Sequence, residues 1–220
     1  MATERIRVFL VDDHPLVREW LTNLLREQPD LEVCGQAADA RSALAAMRAA
    51  PPDVAVVDLS LTSGTGLALI KDLHEQLPAI VIVVLTMHEE VSYAERAFRA
   101  GARGYVKKRD STDQILEAIR QTHQGKVYAS QDLLAAMTGR FFGRTAVKTT
   151  DPIEQLSDRE LEVFRRLGRG EGTRIIADDL GLSIKTVQVY CVRIKEKLDL
   201  QSSHELFREA VRWVEKQAAK

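Results

Sequence analysis

The chain has 220 residues, more than most single domains, so its length favours two domains. Hydrophobic residues make up 45% of it, enough to bury a core, which excludes a disordered protein. Lysine and arginine (31) nearly balance aspartate and glutamate (32), so the net charge of -1 identifies no nucleic-acid or membrane partner, and any basic surface must be local.

Five short apolar runs alternate with amphipathic segments through the first half of the chain. The runs are IRVFLV (6–11), LEVCGQ (31–36), DVAVVD (53–58), IVIVVL (80–85) and RGYVKK (103–108). Each is followed by a segment about as long as a crossover helix, from PLVREWLTNLLREQ after the first to STDQILEAIRQTH after the fifth. This alternation predicts an α/β fold, a doubly wound five-stranded parallel sheet with helices on both faces.

Polar residues stand at the ends of three of the predicted strands. Asp12 and Asp13 follow the first, Asp58 ends the third and Thr86 follows the fourth. Because open α/β sheets bind ligands at the carboxyl ends of their strands, we expect one site there. Carboxylates about 4 Å apart repel by about 4 kcal/mol at an effective dielectric of about 20, so the cluster needs a cation, and Mg²⁺ suits oxygen ligands. Separate roles as helix N-caps and turn residues remain the alternative.

The alternation stops after Gly125, and a different pattern follows. Residues 126–152 hold one short helical segment and a polar stretch, which predicts a linker between a domain of residues 1–125 and a second of residues 153–220. Four helical periods occupy the second domain: SDRELEVFRRLG, TRIIADDLG, SIKTVQVYCVRIKEKL and SHELFREAVRWVEKQ. Ser157 with Glu160 is typical of a capping box. We therefore predict an all-α second domain.

The two cysteines argue against a cysteine metal site, and the apolar runs argue against a signal peptide and a membrane span. Cys34 and Cys191 lie far apart and lack metal-binding spacing, so both are interpreted as small hydrophobic residues. The run before Asp12 is too short for a signal peptide, and no run reaches the roughly 18 apolar residues of a membrane span. We expect a cytoplasmic protein without membrane attachment.

The polar motifs of the first half resemble the receiver domain of two-component response regulators. The matching motifs are DDHPLVRE with Asp12 and Asp13, VVDLSLTSGTG with Asp58 and Gly66, LTMHEE with Thr86, and GARGYVKK with Tyr105 and Lys108. Their order and spacing fit across the whole first half. The resemblance implies a flavodoxin-like receiver that accepts a phosphoryl group.

The resemblance also implies a role for each site residue. These roles are phosphoacceptor for Asp58, Mg²⁺ ligands for Asp12, Asp13, Asp58 and the backbone carbonyl of Ser60, and phosphate-binding or switch residues for Thr86, Tyr105 and Lys108. Asp12 would act on the metal mainly through water, and Lys108 would neutralise charge on the phosphoryl oxygens. Thr86 would hydrogen-bond a phosphoryl oxygen, and its movement would free space for Tyr105 to rotate inward. His88 and Ser60 occupy positions that tune the phosphoryl lifetime.

Residues 156–206 resemble the LuxR-type helix-turn-helix. The matching motifs are LSDRELEV, IADDLGLSIKTV, IKEKL and the later EL pair. TRIIADDLG would be the scaffold helix, LGLS the turn, and IKTVQVYCVRIKEKL the recognition helix in a DNA major groove. Together the two halves resemble a NarL/FixJ-type response regulator.

The recognition helix divides into an inward stripe and an outer surface. Val187, Ile194 and Leu198 lie at the spacing of one helix face, with Cys191 near it. The predicted DNA contacts are Lys185, Thr186, Gln188, Val189, Arg193, Lys195 and Lys197. The basic residues would hold phosphates, while Gln188 would bond a base edge and Val189 a thymine methyl. A merely solvated charged face is the alternative.

The last predicted helix carries an apolar stripe of its own. Leu206, Ala210, Val211 and Val214 share one face of SHELFREAVRWVEKQ. In relatives this helix pairs two DNA-binding domains, and packing against its own domain is the alternative use of the stripe.

Both motif sets in one chain predict a transcription factor rather than an enzyme. A partner histidine kinase would phosphorylate Asp58, and the phosphorylated protein would form a homodimer on specific double-stranded DNA. The alternative is a magnesium-dependent phosphotransferase or phosphatase that uses an aspartyl-phosphate. A regulator that responds to partner binding without phosphorylation is a third hypothesis.

Overall fold

The computed structural model describes residues 5–61, 65–87, 91–143 and 152–218 of the chain. It divides into two compact units between residues 145 and 146. The elements of the first unit are β1 (Ile6–Val11), α1 (Pro15–Arg26), β2 (Leu31–Ala37), α2 (Ala40–Ala49), β3 (Val54–Val57), α3 (Gly66–Gln76), β4 (Val81–Thr86), α4 (Val91–Ala100), β5 (Gly104–Lys107), α5 (Thr112–His123) and α6 (Gln131–Gly143).

Five strands in the described part of the first unit form a parallel sheet. Their order is β2-β1-β3-β4-β5, which confirms the predicted doubly wound, flavodoxin-like arrangement. Every residue of β3 is buried, and all of β4 except Val81, as expected of strands covered on both faces. The strand order places the carboxyl ends of β1 and β3 side by side, next to that of β4.

The chain that leaves α5 pairs with the outer edge of β5 before α6 begins. The Tyr128 amide donates to the Arg103 carbonyl at 2.9 Å, and the Tyr105 amide donates to the Tyr128 carbonyl at 2.9 Å. Helix α6 then packs against α4, with Leu133 buried. The first residues of the segment predicted as a linker therefore extend the sheet of the first unit.

The described residues of the second unit form a short 3₁₀ helix and four α-helices, which confirms the predicted all-α architecture. Its elements are the 3₁₀ helix (Pro152–Gln155), α7 (Asp158–Gly168), α8 (Thr173–Asp179), α9 (Ile184–Leu198) and α10 (Ser203–Ala218). The capping box predicted from Ser157 and Glu160 starts α7. Ser183 caps α9 by accepting from the Thr186 amide at 3.0 Å.

Close packing of α7 against α10 forms the core of the second unit. The rings of Phe164 and Trp213 lie 5.9 Å apart. A Cβ atom at Gly168 would lie 2.4 Å from the Ala210 carbonyl oxygen, so only glycine permits this approach of the two helices. Within the described parts of both units, no helix has the length and apolar character needed to cross a membrane.

Candidate functional site

Four acidic or imidazole side chains meet where β1 and β3 end. Val11 and Val57 are paired in register, and the Asp58 amide donates to the Val11 carbonyl at 2.8 Å, so the residues that follow both strands are neighbours. One potential ligand atom from each of Asp12, Asp13, His14 and Asp58 lies within 4.8 Å of the others. Asp12 and Asp58 are each only 2% exposed.

Lys108 places a positive charge between two of these carboxylates. Its backbone amide donates to the Thr86 carbonyl at 2.8 Å just after β5 ends. Its ammonium nitrogen lies 2.6 Å from Oδ2 of Asp12 and 2.7 Å from Oδ2 of Asp58, and the side chain is 9% exposed. The structure thus brings the predicted phosphoacceptor and the predicted ammonium group into direct contact.

Burial and charge act on the protonation of this pair. Burial raises the pKa of Asp58, a change that the nearby Lys108 ammonium opposes and the Asp12 carboxylate reinforces. Burial alone would lower the pKa of Lys108, but the facing carboxylates of Asp58 and Asp12 raise it above its ordinary value. The lysine is therefore held as ammonium, while the buried Asp58 carboxylate carries unfavourable charge that a further cation would relieve.

The loop after β3 holds Asp58 closely. The Ser60 amide donates to Oδ1 of Asp58 at 3.2 Å. A Cβ atom at Gly66 would lie 2.1 Å from the Asp58 carbonyl oxygen, so glycine is required where α3 begins against this loop. The structure thus gives Gly66 a steric role, and it places Ser60 beside the phosphoacceptor.

The two predicted switch residues lie beneath this edge of the sheet. Thr86 ends β4 and is fully buried, and its carbonyl accepts the Lys108 amide. Tyr105 is 2% exposed, with its ring centre 6.4 Å from that of Phe98 on α4. The tyrosine ring is therefore already turned inward. His88, predicted to tune the phosphoryl lifetime, lies outside the described residues.

Two contacts of the site were not predicted from the sequence. The ring nitrogen Nδ1 of His14 lies 2.7 Å from Oδ1 of Asp13 and 3.2 Å from Oδ1 of Asp12. The Arg18 guanidinium donates to the Asp12 carbonyl at 2.6 Å. Both residues belong to the DDHPLVRE motif. The sequence signal for the His14 contact was the position of this histidine directly before Pro15, where α1 begins.

The donor set fits a divalent cation. Three carboxylates converge within one small, largely buried space, and like charges at such distances repel unless a cation is present. In proteins, Mg²⁺ is bound by one or two carboxylates together with water and phosphate oxygens. Asp12, Asp13 and Asp58 can provide the carboxylates.

The predicted DNA contacts occupy different environments on α9. Lys185, Gln188, Val189 and Arg193 are exposed, as a contact surface requires. The Thr186 hydroxyl lies 2.8 Å from the Ser183 hydroxyl at the helix start. The inward stripe agrees with the prediction at Val187 and Ile194, both fully buried, whereas Leu198 and Cys191 are half-buried.

One lysine of the predicted basic strip is engaged within the second unit, and a second is half-buried. The Lys197 ammonium lies 2.6 Å from Oε2 of Glu160 and donates to the Gln155 carbonyl at 3.2 Å. Lys195 is half-buried and lines an open cavity of about 310 Å³ beside Cys191. Lys185 and Arg193 are therefore the residues of this basic strip that are most accessible to DNA.

The apolar stripe of α10 is largely used inside its own unit. Leu206, Ala210 and Trp213 are buried, while Val211 and Val214 are half-buried. Phe207 is 46% exposed. Packing against α7, the alternative to pairing of two DNA-binding domains, thus accounts for much of the stripe.

Comparison with known proteins gives two family matches and relatives that align over nearly the whole chain. Residues 8–120 match the response regulator receiver domain, and residues 154–210 match the bacterial regulatory proteins of the luxR family. Two proteins named oxygen regulatory protein NreC, from Staphylococcus haemolyticus (strain JCSC1435) and Staphylococcus carnosus (strain TM300), are 34% and 33% identical to this chain. Each alignment spans 211 residues, 94% of this chain and 97% of the relative.

Solved structures share the architecture. A two-component response regulator of the LuxR family from Aurantimonas sp. SI85-9A1 aligns with a TM-score of 0.60 and 33% identity, over 63% of this chain and 99% of that one. RcsB from Salmonella enterica serovar Typhimurium, bound to promoter P1flhDC in the presence of phosphomimetic BeF3-, aligns with a TM-score of 0.62 over 94% of this chain and 98% of that one. At 23% identity, the second likeness shows the fold alone. The chain therefore belongs to the two-component response regulators that join a receiver domain to a LuxR-type DNA-binding domain, a family of transcription regulators rather than enzymes.

Proposed function

We propose that phosphorylation of Asp58 by a partner histidine kinase switches this response regulator between states of different DNA affinity. Residues 1–125 would form the receiver, residues 126–152 the linker and residues 153–220 the DNA-binding domain. The observation that carries the proposal is the Asp58 carboxylate, buried beside Asp12 and Asp13 and in contact with the Lys108 ammonium.

The phosphoryl transfer uses these groups directly. A carboxylate oxygen of Asp58 forms the new P–O bond as the P–N bond of the kinase phosphohistidine breaks, and the imidazole leaves with the electron pair. Lys108, whose ammonium nitrogen lies 2.7 Å from Oδ2 of Asp58, stabilises the charge on the phosphoryl oxygens. A Mg²⁺ ion held by Asp12, Asp13, Asp58 and the Ser60 carbonyl would supply the remaining positive charge when bound.

The added phosphoryl group then changes the neighbouring surface. It brings about two negative charges and three acceptor oxygens, enough to bias a loop between two states. The Thr86 hydroxyl would bond one of these oxygens at the end of β4. Since the Tyr105 ring packs against Phe98, a movement of Thr86 and Tyr105 would pass to α4.

The DNA-binding unit reads the signal out. Lys185 and Arg193 would hold phosphates, with Lys195 and Lys197 as weaker contributors, while Thr186, Gln188 and Val189 would contact base edges. A homodimer would contact half-sites about one helical turn apart. Phe207, exposed on α10, would support that pairing.

DNA binding before and after phosphorylation tests the proposal. Wild type, Asp58→Asn and the control Asp113→Asn, an exposed position on α5, are each treated with a small phosphodonor and Mg²⁺. We expect treatment to change DNA affinity in wild type and control and to leave Asp58→Asn unchanged. An equal response in all three would remove Asp58 as the switch.

A further inference from the structure

We propose that His14 contributes a nitrogen ligand to the metal site, so that the site favours first-row transition-metal ions over Mg²⁺ more than its carboxylates alone would dictate. The inference rests on the proposed function, because the same three carboxylates would hold the ion. It concerns which metal the site selects and which residue decides it.

The distances around His14 match those between neighbouring ligands of one metal ion. Two adjacent ligands of an octahedral ion with bonds of about 2.1 Å are separated by about 3.0 Å. The His14 Nδ1 atom lies 2.7 Å from Oδ1 of Asp13 and 3.2 Å from Oδ1 of Asp12. The imidazole nitrogen is therefore close enough to the carboxylates to become a ligand of the same ion without any large movement of the backbone.

The local backbone explains why the ring turns toward the carboxylates. His14 stands at the N-cap of α1, yet its side chain does not cap the helix. Pro15 restricts the preceding residue to extended conformations, and His14 has φ -84° and ψ 112°. The His14 amide also donates to Oδ1 of Asp12 at 2.9 Å. The backbone is thus held on both sides while the side chain, 65% exposed, stays adjustable.

The chemistry of imidazole gives the direction of the selectivity. Mg²⁺ prefers oxygen ligands, whereas imidazole binds later first-row ions such as Co²⁺ and Ni²⁺ well. Adding one nitrogen to a carboxylate set therefore raises affinity for those ions more than for Mg²⁺. A hydrogen bond from the ring to Asp13, with no role in metal binding, is the competing explanation of the same distances.

Pulsed electron paramagnetic resonance of the full chain loaded with Mn²⁺ separates these explanations. Directly bound imidazole gives a ¹⁴N coupling to the ion. We expect this coupling in wild type and in the control His123→Gln, at the far end of α5, and its loss in His14→Gln. Titration with Co²⁺ should show that His14→Gln lowers Co²⁺ affinity by about tenfold or more, a loss typical when a residue that supports a metal site is replaced. Titration with Mg²⁺ should show a much smaller change in affinity.

Two contrary results are distinguishable. Mn²⁺ bound without ¹⁴N coupling in wild type, or with coupling that survives in His14→Gln, would overturn the role of His14 and leave the carboxylate site intact. If wild type bound no Mn²⁺ and no Mg²⁺, the metal site of the proposed function would itself fail. Because His14 is largely exposed, the variant is expected to fold, which circular dichroism checks.

Discussion

The ammonium nitrogen of Lys108 lies 2.7 Å from Oδ2 of Asp58, a contact between residues 50 positions apart in the chain. Asp12 approaches the same nitrogen at 2.6 Å, and Asp13 belongs to the same cluster. Negative charge thus exceeds positive charge in a buried space. Removing the Lys108 ammonium group and removing the Asp58 carboxylate should therefore change the stability of the receiver unit in opposite directions.

Replacement of Lys108 by methionine should destabilise the receiver unit. Two buried carboxylates would lose their counter-charge, and breaking a buried ion pair in this way costs about 3 kcal/mol or more. Urea unfolding at pH 7 with a metal chelator measures the free energy of unfolding. Lys107→Met, at the half-buried neighbouring position, serves as the control. Equal loss in the two variants would show that the contact with Asp58 and Asp12 has no special weight.

Replacement of Asp58 by asparagine should stabilise the metal-free protein. Burial raises the pKa of Asp58, so the folded state holds the charged carboxylate at a cost that a neutral isostere avoids. The gain should be on the order of 1 kcal/mol in urea unfolding with a chelator, and Mg²⁺ should reduce the difference from wild type. A less stable Asp58→Asn protein would contradict an excess of negative charge in the site.

Replacement of Gly66 by alanine should disturb the phosphoacceptor loop. The new Cβ atom would lie 2.1 Å from the Asp58 carbonyl oxygen, so the loop or α3 must shift. We expect a loss of about 1–3 kcal/mol in stability and slower phosphorylation by a small phosphodonor. Gly139→Ala on α6 is the matched control, since nothing lies within 4 Å of its Cβ position, and it should be neutral or stabilising. Unchanged phosphorylation in Gly66→Ala would argue against this steric role.

The contact between Glu160 and Lys197 should make the second unit sensitive to acid. Burial alone would raise the pKa of Glu160, but hydrogen bonds from Lys197 and Ser157 lower it below its ordinary value of 4.5. A lowered pKa means that the stabilisation is complete above 4.5 and is lost as the pH falls through the lowered value. Glu160→Gln should cost about 1–2 kcal/mol at pH 7 and progressively less in acid. The control is Glu196→Gln, exposed on α9, and a pH-independent difference between the two variants would count against this account.

Salt dependence of DNA binding should separate Arg193 from Lys197. If exposed Arg193 contacts a phosphate, Arg193→Met should reduce the slope of log affinity against log salt by about one unit. Because Lys197 is engaged by Glu160, Lys197→Met should lower the stability of the unit and change the slope much less. Identical slopes for both variants and wild type would exclude phosphate contact by either residue.

The fold could be predicted from the sequence because burial imposes a visible period on it. The apolar runs of β3 and β4 and the helical spacing of Val187 and Ile194 reflect which side of an element is covered. Side-chain partners are less accessible to such reasoning. Lys197 looks like any other surface lysine until tertiary packing brings Glu160, 37 positions earlier, within reach of its flexible side chain.

The same distinction applies within the candidate site. Strand order brings Asp12 and Asp58 together, so strand ends alone predicted their proximity. The orientation of the His14 ring depends on rotation about a side-chain bond next to Pro15, which no periodicity records. The turn that returns Tyr128 to β5 likewise leaves little trace in an otherwise polar segment.

The pairing of Tyr128 with β5 has a practical consequence for receiver fragments. A fragment cut at residue 125 would leave the Tyr105 amide and the Arg103 carbonyl without the partners that Tyr128 provides. Bare strand edges recruit strands from other molecules. Such a fragment would expose these two backbone groups at the outer edge of β5, whereas one that ends after α6 would keep both paired.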